Sequence, residues 1–275
     1  MSTINAISID KLLRLVGTGK CPAILDVRQD DQIDACLLPS SIRKSPASVA
    51  QWAAEFSGHN VVVACESGAE FSPGVAAWLR HEGAEADILE GGIDAWKAAG
   101  HAMVSDAKLP KRDAQGRTIW VTRARPKVDR IACPWLIRRF VDPNAVFLYV
   151  APSEVQTVAE KFGAAAFDIE GVFWSHRDDR CTFDTMLEEL GLATFPALQH
   201  FAVIVRGADT AHPELAPESA GLVAVSLGLS RMFADDLEQL EAGMLVYDSL
   251  YRWCRDATDE THNWVSHQPK AKTKR

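Results

Sequence analysis

Cys65 ends the apolar run Val61-Val62-Val63-Ala64 and is followed by Glu66-Ser67-Gly68-Ala69-Glu70-Phe71. Ser72-Pro73 then opens a stretch with helical apolar spacing at Val75, Trp78 and Leu79. Serine is a favoured helix cap and proline a favoured first helical residue, so the loop 65–71 is expected against a helix N-terminus. Backbone N–H groups of such a loop converge on one centre and stabilise an anion there. A thiol at that centre loses its proton more readily and becomes a nucleophile. Glu66 and Glu70 work against this, because neighbouring carboxylates disfavour a thiolate and repel an approaching anion.

Two other groups carry potential chemistry. Between Arg123 and Arg139 six basic residues face one acid, Asp129. Pro134 fits the first turn of a helix buried through Leu136, Ile137 and Phe140, which puts Cys133 at or near its cap. Several guanidinium groups close by, Arg123 and Arg130 among them, could bind an oxyanion such as sulfate bidentately beside that thiol. A solvated basic face is the plainer alternative. Further on, Asp168, Glu170, His176 and Cys181 crowd into one short stretch. The spacing His176-x4-Cys181 is compatible with a divalent metal, zinc or iron, with Asp168, Glu170 or Asp209 completing the shell. No paired CxxC strengthens that reading, and Arg206 and Asp209 read first as salt-bridge partners of each other or of Asp129 and Arg130.

The elements that must position these groups follow from apolar periodicity. Short β-friendly runs at 23–27, 61–64 and 86–89 alternate with helical spacing at Leu12, Leu13, Val16 and at Trp52, Ala53, Phe56, the rhythm of a parallel sheet covered by helices. Residues 105–117 are polar and without periodicity and read as a linker. A strand-like run at 118–122 opens a second domain, 118–268, that turns helical over 183–190, 195–206, 218–230 and 234–255. Gly207 reads as the stop of the third-last helix. The basic end, 269–275, reads as a tail. The expected fold is α/β over 1–104, followed by a mainly helical α+β domain.

Composition agrees with a packed protein: 275 residues, 47% hydrophobic and 24% charged. A net charge of −8 argues against a whole surface devoted to nucleic acid. No apolar run approaches the roughly 18 residues of a membrane span, and the first residues lack the pattern of a signal peptide, so a cytoplasmic location is expected. Six scattered cysteines at 21, 36, 65, 133, 181 and 254 read as reduced thiols. Cys254 is expected in the core.

Several blocks extend the reading. Leu25-Asp26-Val27-Arg28, Cys65-x-x-Gly68 and Gly91-Gly92-x-x-Ala95-Trp96-x-x-x-Gly100 resemble, in order and spacing, the rhodanese family of sulfurtransferases over residues 1–104. The resemblance implies that Cys65 carries a persulfide, accepting sulfane sulfur and passing it to a thiol or cyanide; with Glu66 and Glu70 beside it, a protein or small-molecule persulfide is then the expected donor rather than thiosulfate. Asp26, Arg28 and Gly68 would brace the loop, and Glu66, Ser67, Ala69 and Glu70 would line it. Leu37-Leu38-Pro39-Ser40 departs from the family's His-Ile-Pro-Gly turn. Over about residues 118–257, the blocks Trp120-Val121-Thr122-Arg123, Asp129 to Phe140, Ser175-His176-x4-Cys181-Thr182-Phe183-Asp184, Ile204 to Thr210 and Tyr247 to Cys254 resemble the chromate-resistance family. Some of its members resemble regulators with a basic N-terminal domain; here a rhodanese-like module stands in that place, so DNA binding is not implied. The leading expectation is sulfur transfer by Cys65 coupled to oxyanion or thiol stress. The alternative is a non-catalytic sensor or binding protein responsive to chromate or another oxyanion. Reduction of chromate by the thiols ranks last, since no GxGxxG signature of a cofactor that renews them is present.

Overall fold

The apolar runs at 23–27, 61–64 and 86–89 form the middle of a five-stranded parallel sheet. A computed structural model describes residues 5–29 and 36–260. Its first half contains β1 (Ala6–Ile7), α1 (Ile9–Leu13), β2 (Ala23–Asp26), β3 (Cys36–Leu37), β4 (Ser41–Arg43), α2 (Val49–Trp52), β5 (Asn60–Ala64), α3 (Ser72–His81), β6 (Glu85–Leu89), α4 (Gly92–Ala98) and β7 (Val104–Ser105). The sheet order is β1-β6-β5-β2-β4, and every pairing is parallel. Ile24, Leu25 and Val61 to Ala64 are buried on both faces, which is why β2 and β5 read as unbroken apolar runs. The edge strands β1 and β4 are too short to show an alternation of their own. Asp26 pairs with Ala64, so Asp26 and Cys65 lie at the carboxyl ends of neighbouring strands. Open α/β sheets bind ligands at that edge.

The second half contains β8 (Ile119–Arg123), α5 (Asp129–Leu136), β9 (Val146–Val150), α6 (Val155–Phe162), β10 (Ala165–Ala166), α7 (Thr182–Glu189), α8 (Pro196–Asp209), α9 (Glu218–Met232) and α10 (Asp236–Asp256). The three strands form a parallel sheet in the order β10-β8-β9, of which only β8 was legible as a strand in the sequence. Trp135 sits at the centre of the helical part, with ring centroids of Phe201, Tyr251 and Phe140 at 5.1, 5.3 and 5.8 Å. Its indole N–H donates to Asp248 at 2.8 Å. Among the described residues no helix is long and apolar enough to cross a membrane.

Two expectations about this half are corrected. Pro134 does not start a helix: α5 begins at Asp129 and Pro134 lies inside it. A proline there leaves the carbonyl four residues earlier, that of Arg130, without its helical donor. The Tyr149 hydroxyl of β9 donates to that oxygen at 2.9 Å, and a wider π turn follows over Ile137–Val141. Gly207 does not stop α8, which continues to Asp209. A Cβ at this position would lie 2.4 Å from Ser219 Oγ and 2.9 Å from the His212 carbonyl oxygen, so the glycine marks a close approach to the start of α9.

The halves are joined by more than residues 105–117. Leu12, Val16, Leu38 and Trp96 share one buried cluster with Leu136, Phe140 and Tyr251, while Leu25, Val63, Val75 and Leu79 form a smaller cluster on the other face of the first sheet. Ser40, in the altered turn, has φ +63°, and its N–H donates to the Phe140 carbonyl at 2.7 Å. In the expected linker, Ser105 pairs with Cys36 and Leu109 packs against the shared core. The basic tail 269–275 lies outside the described residues.

Candidate functional site

Cys65 follows β5 directly, and the loop 66–71 turns back over it before α3 begins at Ser72. Ser67, Ala69 and Glu70 are exposed and Glu66 and Gly68 half-buried, whereas Cys65 has no accessible surface. Burial raises the thiol pKa. The Ser72 hydroxyl and the N–H groups of Phe71, Ser72 and Glu70, grouped around the sulfur, outweigh that, so the thiol titrates below the ordinary cysteine value. The buried Ser72 oxygen has no hydrogen-bond partner of ordinary geometry among the described residues, which leaves it available to the sulfur. The groups that favour the thiolate thus come from the loop's end and the first helical residue, rather than from its whole length.

That arrangement sets a pH dependence. A lowered thiol pKa keeps the reactive thiolate populated as pH falls, and removal of a donor raises the pKa. Ser72→Ala is expected to shift the rise of Cys65 alkylation with iodoacetamide to higher pH, leaving the high-pH plateau nearly unchanged. An unshifted profile would show that the hydroxyl does not act on the sulfur.

The loop is clamped from two sides. Arg28 is fully buried; its Nη2 donates to Asp26 Oδ2 at 2.8 Å and to the Cys36 carbonyl at 3.0 Å, and its Nε to Asp26 Oδ1 at 3.1 Å. Arg28 Nη1 also lies 3.9 Å from Glu66 Oε2, and Lys97 Nζ lies 3.9 Å from Glu66 Oε1. The charge of Glu66 is therefore directed at two cations, which reduces the repulsion expected from it at the thiol. On the other side, the N–H groups of Ile93 and Asp94 in α4 donate to the carbonyls of Cys65 and Glu66 at 3.0 and 2.9 Å. This close approach requires glycine. At Gly68, with φ +78°, a Cβ would meet the Leu89 carbonyl at 2.8 Å; at Gly92, with φ +62°, it would meet the Glu66 carbonyl and the Gly68 nitrogen at 2.4 Å.

In the second half, Arg123 and Arg130 of the expected oxyanion site do meet, but on the carboxylate of Asp168. Cys133 lies inside α5, fully buried, and burial pushes its thiol up. Arg123 Nη2 donates to the Asp168 carbonyl at 3.0 Å, and Arg130 Nε lies 3.2 Å from Asp168 Oδ2. The other basic residues of the run disperse: Arg125 donates to the Phe233 carbonyl at 2.9 Å, Arg138 pairs with Glu241, and Arg139 with Asp248 at 2.8 Å. Arg206 pairs with Asp184 at 2.9 Å, not with Asp209, Asp129 or Arg130.

The expected metal ligands divide as well. Asp168, His176 and Asp209 converge, joined by Asp129, with one donor atom from each lying within 4.8 Å of all the others. Hydrogen bonds to Asp168 and Asp209 push His176 up to about 10, and burial together with the charges of Asp209 and Asp168 pushes Asp129 well above the usual carboxylate range. Cys181 is outside this donor set. It caps α7, its buried thiol donates to Asp184 Oδ2 at 3.4 Å, and burial pushes its pKa up. Glu170 is exposed and does not join the cluster. Cys254 is buried in the shared core, as expected.

Residues 8–99 match the rhodanese-like domain, and residues 120–254 match the C-terminal domain of ChrB. The chain joins a rhodanese-like domain to a ChrB C-terminal domain. Protein ChrB of Cupriavidus metallidurans is 34% identical over 162 residues, covering 58% of this chain and 48% of that protein; the chain thus spans about half the length of this curated relative. Among solved structures, a rhodanese-related protein from Thermoplasma volcanium is 22% identical, with a TM-score of 0.33, covering 37% of this chain and 98% of that one. A thiosulfate sulfurtransferase from Pseudomonas aeruginosa is 19% identical, with a TM-score of 0.31, covering 38% of this chain and 20% of that one.

Within the rhodanese-like domain, sequence reasoning found the thiol, the Asp26–Arg28 brace and the glycines, and missed Ser72 as a donor to the sulfur. Its signal was present: a serine at a helix start has its hydroxyl free to serve a nearby group. Within the ChrB C-terminal domain, Asp129 escaped as a member of the cluster. As the lone acid in a basic run it reads most simply as a salt-bridge partner.

Proposed function

We propose that the rhodanese-like domain transfers sulfane sulfur through a persulfide on Cys65, and that the ChrB C-terminal domain ties this activity to chromate or related oxyanion and thiol stress. The observation that carries the reading is the place of Cys65 between the end of β5 and the start of α3, where the polar groups of Glu70, Phe71 and Ser72 lie around the sulfur and favour the thiolate despite its burial. The Cys65 thiolate attacks the outer sulfur of a donor persulfide. A bond forms between Cys65 Sγ and that sulfur, the donor S–S bond breaks, and the donor leaves as a thiolate with the electron pair. A nucleophilic thiol or cyanide then attacks the outer sulfur of the Cys65 persulfide and displaces the Cys65 thiolate. The same donors can stabilise the negative charge of the persulfide. With Glu66 and Glu70 in the loop, a small-molecule or protein persulfide suits the site better than doubly charged thiosulfate. The likeness of residues 120–254 to the ChrB C-terminal domain supports the stress connection.

The test is to expose the full chain to glutathione persulfide, cap it with an alkylating reagent and map the added sulfur by mass spectrometry. The expected result is one extra sulfur on the peptide carrying Cys65, removed by cyanide. An unmodified Cys65, or sulfur spread evenly over the six cysteines, would overturn the reading.

A further inference from the structure

The acidic cluster of the ChrB C-terminal domain has a geometry that ordinary ion pairing leaves incomplete. His176 Nε2 lies 3.1 Å from Asp209 Oδ2, 3.3 Å from Asp168 Oδ1 and 3.6 Å from Asp129 Oδ2. Asp168 Oδ2 is also paired with Arg130 at 3.2 Å and Arg123 at 3.4 Å, but one ring nitrogen carries one proton, so His176 cannot satisfy Asp129 and Asp209 at once. Asp129 is fully buried, and its Oδ1 has no hydrogen-bond partner among the described residues. An orphaned carboxylate oxygen without solvent is costly unless another group completes its shell.

A cation meets this requirement. Ligands at roughly 2.0 to 2.4 Å from one ion lie no more than about 4 to 4.8 Å apart, the spacing these donors already have. We propose that Asp129, Asp168, His176 and Asp209 bind one divalent first-row transition metal ion, with Mn2+ and Fe2+ the best fit to three carboxylate oxygens and one imidazole nitrogen. Hard oxygen donors with a single imidazole suit these ions, whereas thiolate sites select zinc more strongly. Cys181, the thiol expected to compete, donates to Asp184 Oδ2 at 3.4 Å and neighbours Asp129, but it does not join the donor set.

The surroundings are built as a metal site requires. The N–H groups of Thr182 and Phe183 donate to Asp129 Oδ2 at 2.5 and 3.4 Å, the Thr182 hydroxyl donates to Asp168 Oδ1 at 3.1 Å, and the Asp129 N–H donates to Asp209 Oδ1 at 3.3 Å. Such contacts fix the direction of each ligand. Val128, directly before Asp129, is held at φ +37°, an unfavourable conformation for a β-branched residue. Its N–H donates to Ser226 Oγ at 3.0 Å and its carbonyl accepts from the Tyr247 hydroxyl at 2.9 Å, so α9 and α10 hold the turn that delivers Asp129. The His176 side chain is 41% exposed, which leaves one side of the cluster open to solvent for entry of the ion and for a further ligand. This site stands independently of the Cys65 reading.

The experiment uses the full chain, stripped with a chelator and dialysed. Titration with Mn2+, followed by loss of the EPR signal of the free aquo ion, is expected to show one bound ion per chain. His176→Ala and Asp209→Asn, both at positions reached by solvent, are expected to weaken binding at least about 100-fold, and Thr182→Val about 10-fold. Circular dichroism matching the wild type excludes misfolding as the cause. Cys181→Ser and Glu170→Gln are expected to bind as the wild type does. A parallel titration with Zn2+ reports thiol coordination. Failure of the wild-type chain to bind Mn2+, unchanged binding in both ligand variants, or ion binding that is lost only in Cys181→Ser would each overturn the proposal.

Discussion

Cys65→Ser is expected to reduce sulfur transfer from glutathione persulfide to cyanide to the uncatalysed background, a loss of at least about 100-fold. A serine hydroxyl remains protonated where the Cys65 thiol is ionised, and it does not form a persulfide. Four of the other five thiols are poorly placed to take over. Burial pushes Cys21 up to about 11 and Cys254 up to about 12, and it pushes Cys133 and Cys181 well above the ordinary value. Because the exchange replaces sulfur by oxygen without changing the side-chain skeleton, thermal unfolding is expected to stay close to the wild type and separates lost chemistry from lost folding. Transfer at the wild-type rate in this variant would remove Cys65 from the mechanism.

Gly92→Ala is expected to destabilise the chain by about 3 kcal/mol or more and to lower Tm by roughly 6–12 °C. The added Cβ would meet three backbone atoms at once: the Glu66 carbonyl and the Gly68 nitrogen at 2.4 Å and the Cys65 carbonyl at 2.5 Å. None of these belongs to a flexible side chain that can rotate away. The positive φ adds strain for any residue with a Cβ. Relief requires α4 to separate from the cysteine loop, so the Ile93 and Asp94 hydrogen bonds weaken and the thiol loses its fixed surroundings. Gly74→Ala provides the contrast. Gly74 lies inside α3, where a Cβ meets nothing within 4 Å, and the change is expected to be neutral or stabilising by up to about 1 kcal/mol. Equal Tm values for the two variants would refute the packing argument.

The parts of the site that were legible in the sequence share one property: short range. Cys65, the helix start at Ser72-Pro73 and the glycines at 68, 91 and 92 declare themselves through residue type and neighbours, because strand ends, helix starts and positive-φ turns are decided within a few residues. The misreadings have an equally physical origin. Pro134 reads as a helix start, since a proline deeper in a helix normally costs about 3 kcal/mol; the Tyr149 hydroxyl, distant in sequence, makes the interior position tolerable. Gly207 reads as a helix end because nothing local reveals that Ser219 will press against it.

Residue order alone is enough for the alternation of strands and helices in the first half, the helical character of the second, and the thiol between a strand and a helix. Folding in three dimensions is what brings Asp129, Asp168, His176 and Asp209 together without Cys181 and Glu170, and what turns Glu66 towards Arg28 and Lys97. Hydrophobic spacing specifies which face of an element is buried, but the meeting of four side chains from separate segments depends on how those faces pack. That packing is set jointly by a strained turn at Val128, the hydroxyl of Tyr247 and the aromatic cluster around Trp135.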